Sequence, residues 1–258
     1  MIITLAQLDV FLLIVARMAG LFAETPVLGS RLIPIPVKVA LAIWTSIVLW
    51  FVVPLTTALP PDLPTLILAL VNEFLIGLLI GFVCFVIFSA VQAAGDLIDL
   101  QMGLSIATVI SPTTGGVTSI VGTLAFMLGT TIFVVLNGHH MILSAFEQSF
   151  RLLPLVTPIK FSGGNLVMEM LSITRTFWLI GLQLSAPVIL LIFLSDFSFG
   201  IVSRVAPQVN VFMLGFQVKP ALGLMGFLLV IPLLGRHITD MIALMGEEIL
   251  KVLTMVKP

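Results

Sequence analysis

The stretch Ser185–Lys219, SAPVILLIFLSDFSFGIVSRVAPQVNVFMLGFQVK, places a short polar segment between two long apolar runs. The first run stops at Asp196, and the second starts directly after Asn210. Between them lie Arg204 and Pro207. A proline that ends one helix and an amide that can cap the next predict a turn between two helices. Asp196 and Arg204 are candidates for an ion pair in this segment.

The composition of the whole chain is that of an integral membrane protein. Of its 258 residues, 60% are hydrophobic and only 9% are charged, whereas a soluble domain has roughly 25% charged residues. The formal net charge of -1 leaves no basic face for nucleic acid. A single cysteine, Cys84, excludes an intramolecular disulfide.

Apolar runs long enough to cross a bilayer recur along the chain. A hydrocarbon core of about 30 Å needs roughly 20 apolar residues in a helix. The runs that meet or approach this length are residues 8–22, 37–59, 66–91, 118–136, 177–194 and 211–234. Pro187 and Pro232 lie inside the last two and are expected to kink them. The sequence therefore predicts an all-α integral membrane protein of about six long apolar helices, several of them kinked, in one helical domain over residues 1–258.

Two further segments are apolar without being convincing spans. Residues 96–110 carry two acids and a glutamine, which favours an interfacial or re-entrant helix. Residues 238–256 place apolar side chains at helical spacing opposite the charged Glu247, Glu248 and Lys251, which predicts an amphipathic helix on a surface or on a partner. The connections are predicted to be short except at residues 111–116 and 148–176.

Arg17 and Glu73 are charged residues within apolar runs. Such residues are costly in a bilayer unless they are paired or lie near its surface. Glu73 could couple proton movement, as ionisable groups do in transporters. The structural alternative is that Glu73 lies at headgroup level or pairs with Arg17. For both Glu73 and Arg17, a structural role is favoured over a role in proton coupling.

No catalytic or metal-binding pattern stands out. His139 and His140 are adjacent, and neighbours on a helix diverge by about 100°, which disfavours chelation of one ion. A turn and helix start at residues 137–140 is the better interpretation. Phosphate-binding, dinucleotide-binding, hydrolase and zinc-protease motifs are missing from the sequence, so neither an enzyme nor a cofactor is predicted. Gly77 and Gly81 form a small-x-x-x-small pair that allows close helix contact.

Three strings together resemble a known family. They are AAGDLIDLQMGLSIATVISP, NGHHMILSAFEQSF and the opening stretch, and they are similar to the FliR family of flagellar export-gate subunits. The virulence counterpart of that family is the T subunit of type III secretion. The resemblance covers nearly the whole chain, and its most specific part is the Arg-x-x-Pro-x-x-Asn signature at Arg204, Pro207 and Asn210.

This resemblance implies a membrane subunit of the flagellar type III export gate, at the basal body in the bacterial inner membrane. It implies helical hairpins that pack with P-type and Q-type subunits around a central pore, and neighbouring B-type and A-type membrane proteins. The substrates would be unfolded flagellar proteins. Apolar runs in such an assembly can face protein, so the number of runs need not equal the number of membrane crossings.

The resemblance also implies roles for individual residues. A loop that helps to plug the closed pore corresponds to Ser111, Pro112, Thr113, Thr114, Gly115 and Gly116. Residues with expected roles in assembly or hairpin geometry are Asp96, Asp99, Gln101, Gly103, Asp196, Arg204, Pro207 and Asn210. Arg204 is expected to reach either Asp196 or a neighbouring subunit. Plain turn stabilisation remains the alternative for these positions.

A small proton-coupled secondary transporter is the competing function. Glu73, Arg17 and the kinked helices motivate it. Transporters often have paired broken helices in two related halves, whereas Pro187 and Pro232 both lie in the C-terminal part of this chain. That asymmetry weakens the transporter interpretation.

Overall fold

The computed structural model describes residues 5–26, 29, 33–53, 60–104, 119–159 and 163–257. In these residues the regular structure is α-helical, without a strand. The helices are α1 (Leu5–Glu24), α2 (Ile35–Trp50), α3 (Leu63–Met102), α4 (Ile120–Val135), α5 (Gly138–Leu152), α6 (Gly163–Val205) and α7 (Val211–Met255).

Within the described part of the chain, four helical segments are long and apolar enough to cross a membrane: Ala6–Glu24, Leu63–Met102, Leu166–Val205 and Val211–Met255. A fifth candidate is the pair α4 and α5, which is bent by 68° at its break. Helix α2 is apolar but shorter, with 16 residues. The predicted fold class, an all-α integral membrane protein, is confirmed.

Several predicted boundaries are wrong because the helices run further than the apolar runs. Asp96 belongs to the end of α3 and does not begin a separate interfacial helix. The loop predicted at residues 148–176 is shorter, since α5 extends to Leu152 and α6 begins at Gly163. Helix α6 also continues through Asp196 to Val205. Charged residues interrupt the hydropathy of these helices without ending them.

The amphipathic tail is part of α7 and not a separate helix. Its apolar residues Ile238, Met241, Met245, Ile249 and Val252 are at most 2% exposed. The expectation that this apolar face lies on a membrane surface or on a partner is therefore wrong, because the chain itself buries the face.

The chain divides into two compact units. The first comprises Met1–Ile87, Asn137–Thr174 and Met241–Pro258, and the second comprises Phe88–Leu136 and Arg175–Asp240. Helices α3, α6 and α7 each contribute residues to both units.

In the first unit, α1 and α3 cross at glycines. Gly20 lies against the backbone of Phe74, and Gly77 lies against the carbonyl of Arg17. A Cβ atom on Gly81 would stand 2.9 Å from the carbonyl oxygen of Leu21. The predicted close contact at Gly77 and Gly81 is confirmed.

In the second unit, aromatic packing and a helical hairpin dominate. The ring of Phe88 makes edge-on contacts with Phe126 and Phe133, each at 5.5 Å between centroids. Helices α6 and α7 are antiparallel, as Gly226 faces Val188 on the opposite arm. The turn at residues 206–210 joins the two arms.

Candidate functional site

Arg17 and Glu73 form a fully buried ion pair in the first unit. Arg17 Nε lies 2.6 Å from Glu73 Oε2, and both side chains are 0% exposed. The close crossing of α1 and α3 at Gly77 lets these side chains meet inside the helix bundle. The pairing was one of the alternatives predicted from the sequence, and the structure confirms it.

The other guanidinium nitrogens of Arg17 bind the end of α5. One donates to Ser149 Oγ at 3.0 Å, and the other donates to the carbonyl oxygen of Leu153 at 2.9 Å. The guanidinium carbon also lies 4.1 Å from the centroid of the Phe150 ring. A cation at a helix C-terminus is stabilised by the negative end of the helix dipole. Arg17 therefore ties α1, α3 and α5 together.

Glu73 and its neighbour Asn72 fix the segment that follows α5. Glu73 Oε1 accepts from the backbone N–H of Val156 at 3.0 Å. Asn72 donates to the carbonyl of Thr157 at 2.7 Å and accepts from the N–H of Ile159 at 3.0 Å. Val156 has a φ of 68°, which is strained for a β-branched residue. Three side-chain bonds to the backbone hold the segment in this conformation.

Ser149, Leu153 and Asn72 also take part in this network, and none of them was predicted from the sequence. Asn72 carried a usable signal, because it stands directly before Glu73 in an otherwise apolar run. Ser149 and Leu153 carried none, since their segment was predicted to be a loop.

The hairpin turn of the second unit has the predicted helix cap. Asn210 Oδ1 accepts from the N–H of Met213 at 3.2 Å, as an N-cap side chain does. Pro207 lies in the turn just after α6. The expected cap on α7 is confirmed.

The expected ion pair between Asp196 and Arg204 is wrong. Lys219 Nζ, on the opposite arm, lies 2.6 Å from Asp196 Oδ1. Asp196 and Arg204 are both on α6, and eight residues of helix separate them by about 12 Å along its axis. Arg204 is exposed and has no ion-pair partner among the described residues.

Two carboxylates meet the N-terminus of α4. Asp99 Oδ1 accepts from the N–H of Val121 at 3.4 Å, and Asp96 is hydrogen-bonded to Ser119. Ser119 caps α4 by accepting from the N–H of Gly122 at 2.8 Å. Acidic groups are stabilised at a helix N-terminus. The structure thus brings Asp96 and Asp99 to one place.

Gln101 and Gly103 lie at the end of α3. Gln101 is exposed, and Gly103 has a φ of 80°, a conformation that favours glycine at the end of a helix. The predicted plug, residues 111–116, lies outside the described residues.

The two adjacent histidines stand at a turn, as expected. Asn137 is in the left-handed conformation with a φ of 59°, and α5 begins at Gly138. The rings of His139 and His140 are 4.2 Å apart between centroids. Within the described ranges, no three side chains of His, Cys, Asp or Glu are placed to bind one metal ion.

Comparison with known proteins gives one consistent family. The family model described as bacterial export proteins, family 1, matches residues 8–245. The chain is 31% identical to flagellar biosynthetic protein FliR of Bacillus subtilis, with 82% of each chain covered. It is 30% identical to the Escherichia coli protein of the same name, over 89% of this chain and 87% of that one.

A virulence protein is similar to the same degree. The chain is 31% identical to Yop proteins translocation protein T of Yersinia pestis, with 82% of each covered. The resemblance to both flagellar and virulence export proteins is therefore confirmed. On this match, which spans nearly its whole length, the chain belongs to the FliR family of bacterial export proteins.

Proposed function

We propose that this chain is a subunit of the flagellar type III protein export gate and forms part of the pore through which unfolded flagellar proteins leave the cell. The observation that carries the proposal is the family match over residues 8–245, with flagellar relatives covered over most of their own length. The site of action would be the cell membrane at the flagellar basal body, with both compact units acting as one export-gate domain.

The surfaces of α6 and α7 support an assembled state. In each helix, only 28% of the most apolar window is buried within the chain. The helices have 43 and 45 residues, whereas a bilayer core accommodates about 20. Lipid alone therefore covers too little of their length. We expect the P-type and Q-type subunits to cover the rest, with the B-type and A-type membrane proteins nearby.

Individual residues have proposed roles in this assembly. Arg204, exposed and without a described partner, would contact a neighbouring subunit, while Asp196, Pro207 and Asn210 set the geometry of the hairpin. Asp96, Asp99, Gln101 and Gly103 would hold the two ends of the segment that contains the plug.

Co-expression with the P-type and Q-type subunits of the same organism tests the proposal. We expect affinity purification through this chain to recover the three proteins in a fixed ratio. A chain that behaves as a stable, dispersed monomer and recovers neither subunit would refute the proposed function.

Deletion of residues 113–116 tests the proposed plug. The deletion is expected to leave the recovered complex intact and to make membranes permeable to small solutes. A deletion of equal length at residues 153–156 is a poor control, because that segment binds Glu73. A better control is the replacement of residues 113–116 by four serines, because it keeps the length of the chain unchanged. An assembled deletion variant that remains impermeable would exclude the plug.

The structure gives the transporter interpretation no support. The two intramembrane charges that motivated it, Arg17 and Glu73, neutralise each other in a fully buried pair. Their partners are backbone and side-chain groups of α5 and the following segment. Helix packing accounts for both residues, so no second function is proposed.

A further inference from the structure

Three charged side chains of the first unit meet where α6 begins and α7 ends. Glu169 lies near the start of α6, and Glu248 and Lys251 lie near the end of α7. Lys251 Nζ is 2.6 Å from Glu169 Oε1 and 3.9 Å from Glu248 Oε2. All three residues belong to the first unit. Two acids therefore face a single base.

The two acids are buried and the base is not. The side chains of Glu169 and Glu248 are 7% and 14% exposed, whereas that of Lys251 is 48% exposed. Glu248 Oε2 is buried, and no N–H or O–H group of the described residues donates to it. An ionised carboxylate at this place would leave a buried acceptor without a donor, which is costly.

The missing donor is the other carboxyl group. The carboxyl groups of Glu169 and Glu248 are hydrogen-bonded to each other. An ionised carboxylate only accepts hydrogen bonds, whereas a protonated one also donates. The contact therefore requires a proton on one of the two groups.

The balance of charge leads to the same conclusion. If both carboxyl groups were ionised, the cluster would carry a net charge of -1, and two like charges would lie in direct contact. One bound proton makes the sum zero. Since Lys251 is closer to Glu169 than to Glu248, Glu169 is the group that stays ionised and Glu248 is the group that carries the proton.

We propose that Glu169 and Glu248 form a proton-binding site, in which Glu248 takes a proton from water and donates it in a hydrogen bond to Glu169, while Lys251 pairs with the ionised Glu169. This inference does not depend on the proposed function. The bound proton joins the start of α6 to the end of α7. Its release would leave two carboxylates in contact and would weaken that junction.

The charges around the site do not replace the proton. Glu247, exposed and adjacent to Glu248 on α7, adds a second negative charge. On α5, which packs beside α7, Arg151 is paired with Glu147 at 3.0 Å. Among the described residues, Lys251 is therefore the cation that acts on the two carboxyl groups.

Infrared spectroscopy of the membrane-embedded chain tests the site directly. A protonated carboxylic acid has a carbonyl-stretch band that a carboxylate lacks. At about pH 7, where a free glutamate is ionised, the unmodified chain is expected to show such a band. The band is expected to disappear in Glu248→Gln, and also in Glu169→Gln, because either change leaves one carboxylate beside Lys251. The amide N–H of Glu248→Gln can still donate to Glu169, so this variant is expected to fold.

Glu247→Gln is the matched control. It removes the same charge one position away, at an exposed residue of the same helix, and is expected to keep the band. Difference spectra against the unmodified chain cancel any band from other acids. A spectrum that is unchanged in both Glu248→Gln and Glu169→Gln would show that both carboxyl groups are ionised and would overturn the proposal.

The pH dependence of stability gives a second measurement. If the folded chain binds one proton more than the unfolded chain, the unfolding equilibrium constant rises tenfold for each pH unit. From about pH 6 to pH 8, denaturant unfolding of the purified full chain is expected to show up to about tenfold more change per pH unit than Glu248→Gln shows. The three histidines of the chain titrate in the same range and contribute to both proteins alike. Equal pH dependence in the two proteins would also overturn the proposal.

Discussion

Removing either member of the buried Arg17–Glu73 pair should open the first unit, whereas removing both should be much less harmful. In Arg17→Met, a side chain of similar length remains, and Glu73 keeps only the Val156 N–H as a partner. Breaking a buried pair from one side costs about 3–5 kcal/mol. Glu73→Gln leaves the Arg17 guanidinium without a counter-charge, and a cost of about the same size is expected.

The double variant Arg17→Met with Glu73→Gln contains no buried charge at this place. A glutamine oxygen can still accept from the N–H of Val156. The carbonyl of Leu153 loses its donor, and an unsatisfied buried acceptor costs about 1–3 kcal/mol. Ser149 keeps its bond to the carbonyl of Phe146. The double variant is therefore expected to be more stable than either single variant.

Cys84 provides the assay. It is the chain's only cysteine and is fully buried in the same unit. The rate at which a membrane-permeant maleimide labels Cys84 in the membrane-embedded protein measures how often the unit opens. A cost of 3–5 kcal/mol corresponds to labelling about 150- to 5,000-fold faster, and 1–3 kcal/mol to about 5- to 150-fold.

The unmodified protein gives the reference rate of labelling, and a Cys84→Ala variant gives the background. Single variants that label less than about fivefold faster would refute the argument that this pair stabilises the unit. So would a double variant whose cost equals the sum of the two single costs, because the pair would then contribute no interaction energy of its own.

Three further substitutions test the packing and the turns. Gly77→Ala places a Cβ atom against the carbonyl of Arg17 and is expected to accelerate labelling of Cys84 strongly, since backbone must shift; labelling at the unmodified rate would contradict the close crossing. Gly103→Ala has room for its methyl group but keeps a φ of 80°. The variant is expected to lose about 1–2 kcal/mol in the free energy of unfolding, measured by thermal denaturation of the purified protein. No loss would show that the turn relaxes. Asn210→Ala removes the cap on α7 and is expected to cost about 0.5–2 kcal/mol in the same assay, with Asn210→Asp as the control that keeps the cap.

Hydropathy located most of the helices but not their ends. Glu169, in the supposed loop, is only 7% exposed in its side chain and lies 2.6 Å from Lys251 on α7. Helix α6 can therefore start well before its apolar run, because Lys251, which is distant in sequence, neutralises Glu169. One sequence does not indicate which charges meet in this way.

In the candidate site, too, some contacts were predicted from the sequence and others were not. The pairing of Arg17 with Glu73 was among the alternatives predicted from the sequence, because a charged residue in an apolar run needs a partner unless it lies near the membrane surface. The candidate ion pair of Asp196 with Arg204 is wrong because it was chosen for nearness in sequence, whereas Lys219 contacts Asp196 across the hairpin. Asn210 was assigned correctly because a helix cap is local and depends on residues three positions apart.

The partners of Arg17 impose an order on the synthesis of this protein. Glu73 follows Arg17 by 56 residues, and Leu153 follows it by 136. At about 5–20 residues per second, these partners emerge about 3–11 s and 7–27 s after Arg17. An unpaired arginine at the centre of a membrane helix costs about 2.5–3.5 kcal/mol or more. Helix α1 is therefore less stable in the membrane alone than in the finished fold, and its arginine remains costly until α3 and α5 supply their partners or another protein shields the charge.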